Sequence, residues 1–155
     1  MKNKEMEAVI RRAIANEEDA YQFYLRLAQR VADESAKETL RYLAREEQGH
    51  KEYLLHYREK SFMDNAAQAA DETVSGLADL LGAPAAKENM DSKEVYLLAA
   101  EKELNAYKLY KGWADLHPAG EIRDMLLKMA AEELKHKEKV EYLYANAAFV
   151  QTDGG

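Results

Sequence analysis

The sequence contains no cysteine, which excludes a disulfide framework, a zinc ribbon, an iron–sulfur cluster and a catalytic thiol. It has only two prolines and seven glycines in 155 residues, and it is rich in Ala, Leu, Glu and Lys. This composition favours helix. The sequence also lacks a run of about 18 apolar residues and the apolar core of a signal peptide, so we expect a cytoplasmic protein that does not span a membrane.

Positive charge is in the minority, with 22 Lys and Arg against 29 Asp and Glu and a formal net charge of −7. Proteins bind the phosphate groups of nucleic acids with basic surfaces. We therefore expect no nucleic-acid partner. Phenylalanine is also scarce, with three copies beside ten tyrosines, an unusual balance for the core of a helical protein.

Apolar residues recur at spacings of three and four in four separate segments, which is the pattern of amphipathic helices. The predicted helices cover residues 4–31, from Ser35 to about Lys60, from Asp91 to about Leu116, and from Ile122 to about Ala148. Ser35 with Glu38 and Asp91 with Glu94 have the spacing of capping boxes at two of the helix starts. The residues 117–120, His-Pro-Ala-Gly, form a predicted turn.

A long connection separates the second predicted helix from the third. Residues 61–90 are rich in small residues and contain one possible short helix, Glu72–Leu81. Neither half of the chain could close a core alone, so we interpret 61–90 as a crossover within a single domain, 1–150, followed by a frayed tail, 151–155. The predicted fold is all-α: two antiparallel helix hairpins joined by a long crossover, the ferritin-like variant of the four-helix bundle.

The two predicted hairpins form an internal repeat. A shift of the chain by 86 residues aligns 9–58 with 95–144 without a gap and superposes many identical residues. The pattern Glu-x-x-His occurs once in each half, and each half also has a glutamate 30 residues before that pattern.

Six ionisable residues occupy positions that the apolar spacing assigns to the bundle core. They are Glu17, Glu47, His50, Glu103, Glu133 and His136. Ionised carboxylates in a core are costly unless they are paired or bound to metal. One Glu-x-x-His pair alone is more often a solvated pair, but two inward-facing copies at matched spacing favour a metal site.

The spacing also predicts that the six residues lie at one height. Glu17 and Glu47 are equidistant from Ala32, and Glu103 and Glu133 are equidistant from Pro118, so each antiparallel hairpin places its two glutamates side by side. Oxygen and nitrogen ligands without sulfur suit iron or manganese. Four carboxylates balance two divalent ions. We predict that Glu47 and Glu133 bridge the ions, that Glu17 and Glu103 are terminal ligands, and that each histidine binds its own ion.

Tyrosines follow the first glutamate of each hairpin. Tyr24 and Tyr110 lie two turns after Glu17 and Glu103 on the same face, and each is interpreted either as core filler or as a hydrogen-bond donor to a ligand carboxylate from the opposite hairpin. Tyr21 and Tyr107, one turn after, are interpreted as core filler. The remaining acidic neighbours and histidines are predicted to lie on the surface: Glu18, Glu46, Glu101, Glu132, His56 and His117.

Four strings of the sequence resemble the rubrerythrin-like branch of the ferritin-like superfamily. They are AIANEEDAYQFYLRLA with LAREEQGH, and AAEKELNAYKLYKGWA with MAAEELKH. The resemblance implies that the six core residues bind two iron ions and that Tyr24 and Tyr110 support the ligands. It also implies a reaction with O₂ or H₂O₂, and a homodimer, in some relatives with exchanged helices.

Two departures from that family matter. The four cysteines of a rubredoxin domain are absent, so the resemblance implies a separate protein as electron donor. Rubrerythrins carry an extra glutamate one turn after the third-helix ligand, where this chain has Ala106, which puts peroxidase activity in doubt. The symmetric ligand set is closer to that of an oxidase or ferroxidase.

The leading prediction is an oxidoreductase of oxidative-stress or iron metabolism, in which Fe(II) reacts with O₂ or H₂O₂. An iron-binding protein that sequesters or delivers iron without turnover is the alternative, and a metal-free interaction bundle is a third interpretation. The tail after the fourth helix is too short for the additional helix that closes ferritin cages, so storage in a self-made shell is not expected.

Overall fold

The computed structural model describes residues 2–61 and 89–152. These described residues form four helices: α1, Lys2–Ala28; α2, Glu34–Ser61; α3, Ser92–Asp115; and α4, Glu121–Thr152. The described residues form no strand, and their one extended pairing is an isolated bridge between Val31 and Met90. This confirms the predicted all-α fold. Apart from its ends, the predicted crossover 61–90 with its short helix lies outside the described residues, as do residues 153–155.

The helix starts show one correct and one wrong capping prediction. Asp91 caps α3, because its carboxylate accepts a hydrogen bond from the Glu94 backbone N–H at 2.9 Å. The cap of α2 is Asp33, whose carboxylate accepts from the Ala36 N–H at 3.0 Å, and the predicted cap, Ser35, lies inside the first turn. An aspartate two residues earlier replaces Ser35 as the cap, because a carboxylate also interacts favourably with the positive end of the helix dipole.

The helices pack as two antiparallel pairs, α1 with α2 and α3 with α4. Cation–π contacts join the pairs: Lys139 lies 3.7 Å from the ring centre of Tyr42, and Lys128 lies 4.3 Å from that of Tyr53. The shift of 86 residues exchanges Tyr42 with Lys128 and Tyr53 with Lys139, so the two contacts are one interaction repeated by an approximate two-fold relation. None of the described helices combines the length and the apolar composition of a membrane span.

Two apolar clusters divide the bundle core along its length. The first contains Leu27, Leu40, Leu43 and Val95, near the turn between α1 and α2. The second contains Ile10, Leu54, Leu126 and Met129, towards the opposite end. On every helix the predicted polar core residues fall between the stretches that build these two clusters, which places them at mid-height with apolar packing on both sides.

Replacing Leu126 by alanine should test this division. Leu126 is fully buried in the second cluster, so Leu126→Ala removes apolar contacts and leaves a cavity that costs about 2–5 kcal/mol. The same truncation at Leu116, which is 80% exposed, should change stability by less than about 0.5 kcal/mol. Denaturant unfolding of both metal-free variants measures the difference. Equal losses would show that Leu126 is not in the core.

Candidate metal centre

The structure brings all six predicted core residues together at the middle of the bundle. The four glutamates are at most 1% exposed, and His136 is 5% exposed. The side chain of His50 is 13% exposed, so it is the member of the group nearest to solvent. Each hairpin supplies one glutamate from its first helix and the Glu-x-x-His pair from its second, as the equal spacing from each turn requires.

The imidazoles of the two histidines face the carboxylates. His50 Nδ1 lies 3.2 Å from Glu133 Oε1, across the interface between the hairpins, and 3.4 Å and 3.5 Å from carboxylate oxygens of Glu47 and Glu17. His136 Nδ1 lies 3.2 Å from Glu47 Oε1 and 3.5 Å from Glu103 Oε1. The two rings are stacked with their centroids 5.4 Å apart. Both histidines therefore contact carboxylates from both hairpins.

The side chains form two overlapping sets of four possible metal ligands. One set is Glu17, Glu47, His50 and Glu133, and the other is Glu47, Glu103, Glu133 and His136. Within each set one ligand atom per residue lies within 4.8 Å of the others. Glu47 and Glu133 belong to both sets, and each set has one further glutamate and one histidine of its own.

Tyr24 and Tyr110 each reach across to the opposite hairpin. The Tyr24 hydroxyl donates a hydrogen bond to Glu103 Oε1 at 2.6 Å, and the Tyr110 hydroxyl donates to Glu17 Oε1 at 2.7 Å. Both tyrosines are fully buried. They orient the two glutamates that belong to only one ligand set, while Tyr21 and Tyr107 are partly buried beside the apolar clusters.

Several carboxylate oxygens of the centre lack a hydrogen-bond donor. Glu17 Oε2, Glu47 Oε2 and Glu103 Oε2 are buried and have no hydrogen-bond partner among the described residues. The first two approach His50, but not in hydrogen-bond geometry. A buried acceptor without a donor costs about 1–3 kcal/mol, and more when it is charged. Hard cations bind such oxygens, so the residues present fit a metal ion.

The pKa values show which glutamates of the metal-free centre hold protons most tightly. Burial, hydrogen bonding with Glu17 and the charges of Glu17 and Glu103 raise the pKa of Glu47 well above its usual value. Burial and Glu103 do the same for the pKa of Glu133. Burial would also raise the pKa of Glu17, but the neighbouring Glu47 and His50 and the hydrogen bond from Tyr110 outweigh it and lower that pKa. Without a metal ion, protons therefore occupy the two shared glutamates first.

The histidines of the centre hold protons as well. Burial works against the charged form of His50, but its hydrogen bond with Glu133 and the nearby carboxylates of Glu17 and Glu47 raise its pKa far above the usual value. For His136, burial is likewise outweighed by Glu103, and the pKa is raised. Protons and neighbouring imidazoles thus offset the negative charge that a metal ion would otherwise neutralise.

The surface predictions hold with one exception. Glu101 and His56 are exposed, Glu46 is partly exposed, and Glu18 and Glu132 form partly exposed ion pairs with Lys51 and Lys135. His117, however, has a side chain only 12% exposed. Its Nδ1–H donates to the Trp113 carbonyl at 2.7 Å, and its Nε2 lies 3.4 Å from Glu5 at the start of α1. The position of His117 four residues after Trp113, at the end of a helix, was the signal for this contact.

Asn16 was not predicted as part of the centre. Its side-chain amide donates to the Tyr110 hydroxyl at 3.4 Å, so it extends the hydrogen-bond chain that ends on Glu17. The repeat places Lys102 at the corresponding position of α3, where it forms an ion pair with Asp19 at 2.6 Å. The two halves of the centre are therefore alike in ligands but different in their surroundings.

Comparisons with known proteins agree with this architecture. The rubrerythrin family model matches residues 1–57, which include Glu17, Glu47 and His50. This match confirms the resemblance to rubrerythrins over α1 and most of α2. No curated protein matches the sequence. A solved structure of a hypothetical protein from Pyrococcus furiosus is similar in fold, with a TM-score of 0.61, 20% sequence identity, and coverage of 90% of this chain and 88% of that chain.

The stability of the metal-free protein should fall as the pH rises. The folded protein binds the protons of Glu47 and Glu133 more tightly than the unfolded chain, whose glutamates titrate near 4.5. Their contribution is complete below that pH and is lost as the pH rises through the raised folded values. His50 and His136 act in the same direction from 6.5 upwards. The free energy of unfolding, measured by denaturant titration with a chelator present, should therefore decrease from about pH 5 to about pH 8.

A neutral side chain at position 47 provides the matched test. Glu47→Gln resembles the protonated acid at every pH, so this variant should lose part of the pH dependence. Glu101→Gln removes an exposed carboxylate from the same protein and should leave the dependence unchanged. An unchanged slope in Glu47→Gln would mean that this carboxylate is not held in its protonated form.

Proposed function

We propose that the protein is a non-haem di-iron oxidoreductase of the rubrerythrin kind, in which Fe(II) reacts with O₂ or H₂O₂. The observation that carries the proposal is the pair of overlapping ligand sets with Glu47 and Glu133 in common. Glu47 and Glu133 would each contribute to the binding of both ions, while Glu17 with His50 would complete the ligands of one ion and Glu103 with His136 those of the other. The match of α1 and α2 to the rubrerythrin family model supports the same assignment.

The charge and the donor atoms support two iron ions. Four carboxylates offset the charge of two divalent cations, whereas a single cation would leave the buried centre strongly negative. Carboxylate oxygens and imidazole nitrogens without sulfur are suitable for iron, and manganese is the other metal that this donor set accepts. Because the ligands must be deprotonated, metal binding should release the protons that Glu47, Glu133 and the imidazoles hold in the metal-free protein.

Two bound irons would supply two reducing equivalents to one oxidant molecule. With two protons, two electrons convert O₂ to H₂O₂, or H₂O₂ to two molecules of water. The protein's own groups provide the surroundings for this reaction. Apolar clusters on both sides exclude water, and Tyr24 and Tyr110 hold Glu103 and Glu17 in place. His50 is the most exposed member of the centre, so solvent comes nearest to the centre on that side.

The surroundings of α3 favour an oxidase or ferroxidase over a peroxidase. Ala106, one turn after Glu103, is buried and offers no ligand atom where rubrerythrins are expected to carry an additional glutamate. The physiological oxidant and a separate electron-donor protein stay predictions. So do the homodimer, with or without exchanged helices, the cytoplasmic location, and the absence of a nucleic-acid partner.

Metal stoichiometry tests the ligand assignment. Anaerobic titration with Fe(II), followed by elemental analysis, should give two ions per chain. Glu47→Ala should lose both ions because it belongs to both ligand sets, whereas Glu17→Ala should retain about one ion in the set around His136. Glu101→Ala, which removes an exposed acid near Glu103, should bind two ions. Wild-type protein that binds no metal would favour a metal-free interaction bundle.

Rapid mixing tests turnover. Protein loaded anaerobically with Fe(II) should show a rise in ferric absorption and should consume oxidant when it is mixed with O₂ or H₂O₂. Comparison of the two oxidants identifies the faster one. Two firmly bound ions without any absorption rise would rule out the redox proposal and support the alternative, an iron-binding protein that sequesters or delivers iron without turnover.

A further inference from the structure

The two tyrosines that donate to ligand carboxylates have different aromatic neighbours. The ring of Tyr110 packs edge to face against the ring of Trp113, with the ring centroids 5.7 Å apart. The ring of Tyr24 packs in a similar way against Phe23, with the centroids 5.3 Å apart. Trp113 is the single tryptophan of the sequence, so the contact between a ligand-bound phenol and an indole belongs to the Tyr110 side of the centre.

The internal repeat shows that the bundle does not need an indole at this position for packing. The shift of 86 residues aligns Trp113 with Leu27, which is buried in the first apolar cluster. The same shift aligns Phe23 with Leu109, which is 36% exposed. An aliphatic side chain therefore fills the position of Trp113 in the other hairpin, and the indole is a feature of one half alone.

Tyr110 and Trp113 form a continuous series of contacts from a ligand towards solvent. The Tyr110 hydroxyl donates to Glu17 Oε1 at 2.7 Å, and the Tyr110 side chain is fully buried. Trp113 lies in the last turn of α3 and is only partly buried. A carboxylate, a phenol and an indole thus follow one another from the interior to the surface. Rings in contact exchange electrons readily, because electron tunnelling weakens steeply with distance.

We propose that Tyr110 and Trp113 form a one-electron relay that carries oxidising equivalents from the metal centre to the surface. The proposal rests on the proposed function. Phenols and indoles lose one electron at similar potentials, so an electron can pass between the two rings in either direction. Benzyl and aliphatic side chains are not oxidised under the same conditions. The corresponding contacts of Tyr24, with Phe23 and at the position of Leu27, therefore provide no relay.

The relay supplies an electron when the centre holds a single Fe(II). Reduction of H₂O₂ to two water molecules takes two electrons and two protons, and a centre with one Fe(II) provides one electron. Tyr110 provides the second: its O–H bond breaks, the electron goes to the oxidant, and the proton passes along the hydrogen bond to Glu17 Oε1. A phenoxyl radical is left on Tyr110.

Trp113 then removes this radical from the interior. The indole gives one electron to the phenoxyl, which takes its proton back from Glu17, and the oxidised indole loses its N–H proton to water. A small one-electron reductant in solution, such as ascorbate, returns one electron and one proton to the indole. Solvent supplies the two protons consumed with H₂O₂. The radical therefore ends at the partly exposed Trp113 and not beside the ligands.

Pulse radiolysis of the metal-free protein tests the relay without any iron. In azide solution the pulse generates azidyl radicals, which at neutral pH oxidise indoles in preference to phenols. The absorption of the tryptophan radical and that of the tyrosyl radical are followed separately, with a chelator present. The proteins compared are wild type, Tyr110→Phe, the equivalent variant of the other hairpin, Tyr24→Phe, and Tyr142→Phe, which removes a 68% exposed phenol.

In wild type, the tryptophan radical should decay at a rate that is independent of protein concentration, and the tyrosyl radical should rise at the same rate. Tyr110→Phe should slow this decay about tenfold or more, because no other aromatic pair of the described residues includes Trp113. Tyr24→Phe and Tyr142→Phe should leave the decay unchanged. Transfer as fast in Tyr110→Phe as in wild type, or no transfer within the wild-type molecule, would overturn the relay.

A second measurement uses protein loaded anaerobically with one Fe(II) per chain. After mixing with H₂O₂ and rapid freezing, electron paramagnetic resonance should detect radicals on Tyr110 and Trp113. In Trp113→Phe the tyrosyl signal should persist, and ascorbate should remove it more slowly than in wild type. A radical that is lost in Tyr24→Phe and kept in Tyr110→Phe would contradict the assignment. Failure of wild type to bind iron or to react would count against the proposed function, and pulse radiolysis alone would then decide the relay.

Discussion

Burial of four carboxylates at one height of the bundle is the constraint around which the other features are arranged. Acids that are almost fully buried cannot all be ionised without compensation. The two imidazoles, the two tyrosine hydroxyls and the protons on Glu47 and Glu133 each meet part of that requirement. Within the part of the chain that the structure describes, three carboxylate oxygens are still without a donor, and these oxygens are the strongest physical argument for a cation.

Much of this centre could be predicted from residue spacing. The spacing indicates which face of a helix a side chain lies on, and it indicates which residues of an antiparallel hairpin lie side by side. The period of the apolar residues placed Glu47 and His50 inward, and the equal distances from the turns placed the glutamates at one height. Spacing carries less information about contacts between hairpins. The cap at Asp33, the partly buried His117 and the hydrogen bond from Asn16 depend on side-chain geometry, which decides which of two neighbouring groups contacts a partner. Residues 61–90 contain only one possible short helix, Glu72–Leu81, so no register could be predicted for the rest of that segment.

The internal repeat preserves the ligands of the centre but not all of the residues around them. The shift of 86 residues preserves all six possible ligands and both buried tyrosines. It does not preserve Asn16, whose equivalent position is Lys102, or Arg41, whose equivalent position is Leu127. The two halves are therefore alike in their ligands, while some of the residues around the ligands differ in charge. An approximately two-fold interior can therefore serve a protein whose surroundings distinguish one side from the other.

The crossed pattern of contacts has a consequence for the origin of such a fold. The hydroxyl groups of Tyr24 and Tyr110 each donate a hydrogen bond to a glutamate of the opposite hairpin. Each ligand set also includes one glutamate from the opposite hairpin. A gene that encoded one hairpin would therefore yield an incomplete set of ligands in each copy. Such an ancestor would have assembled the full set only by self-association, and duplication with fusion would have converted an intermolecular site into an intramolecular one that no longer depends on protein concentration.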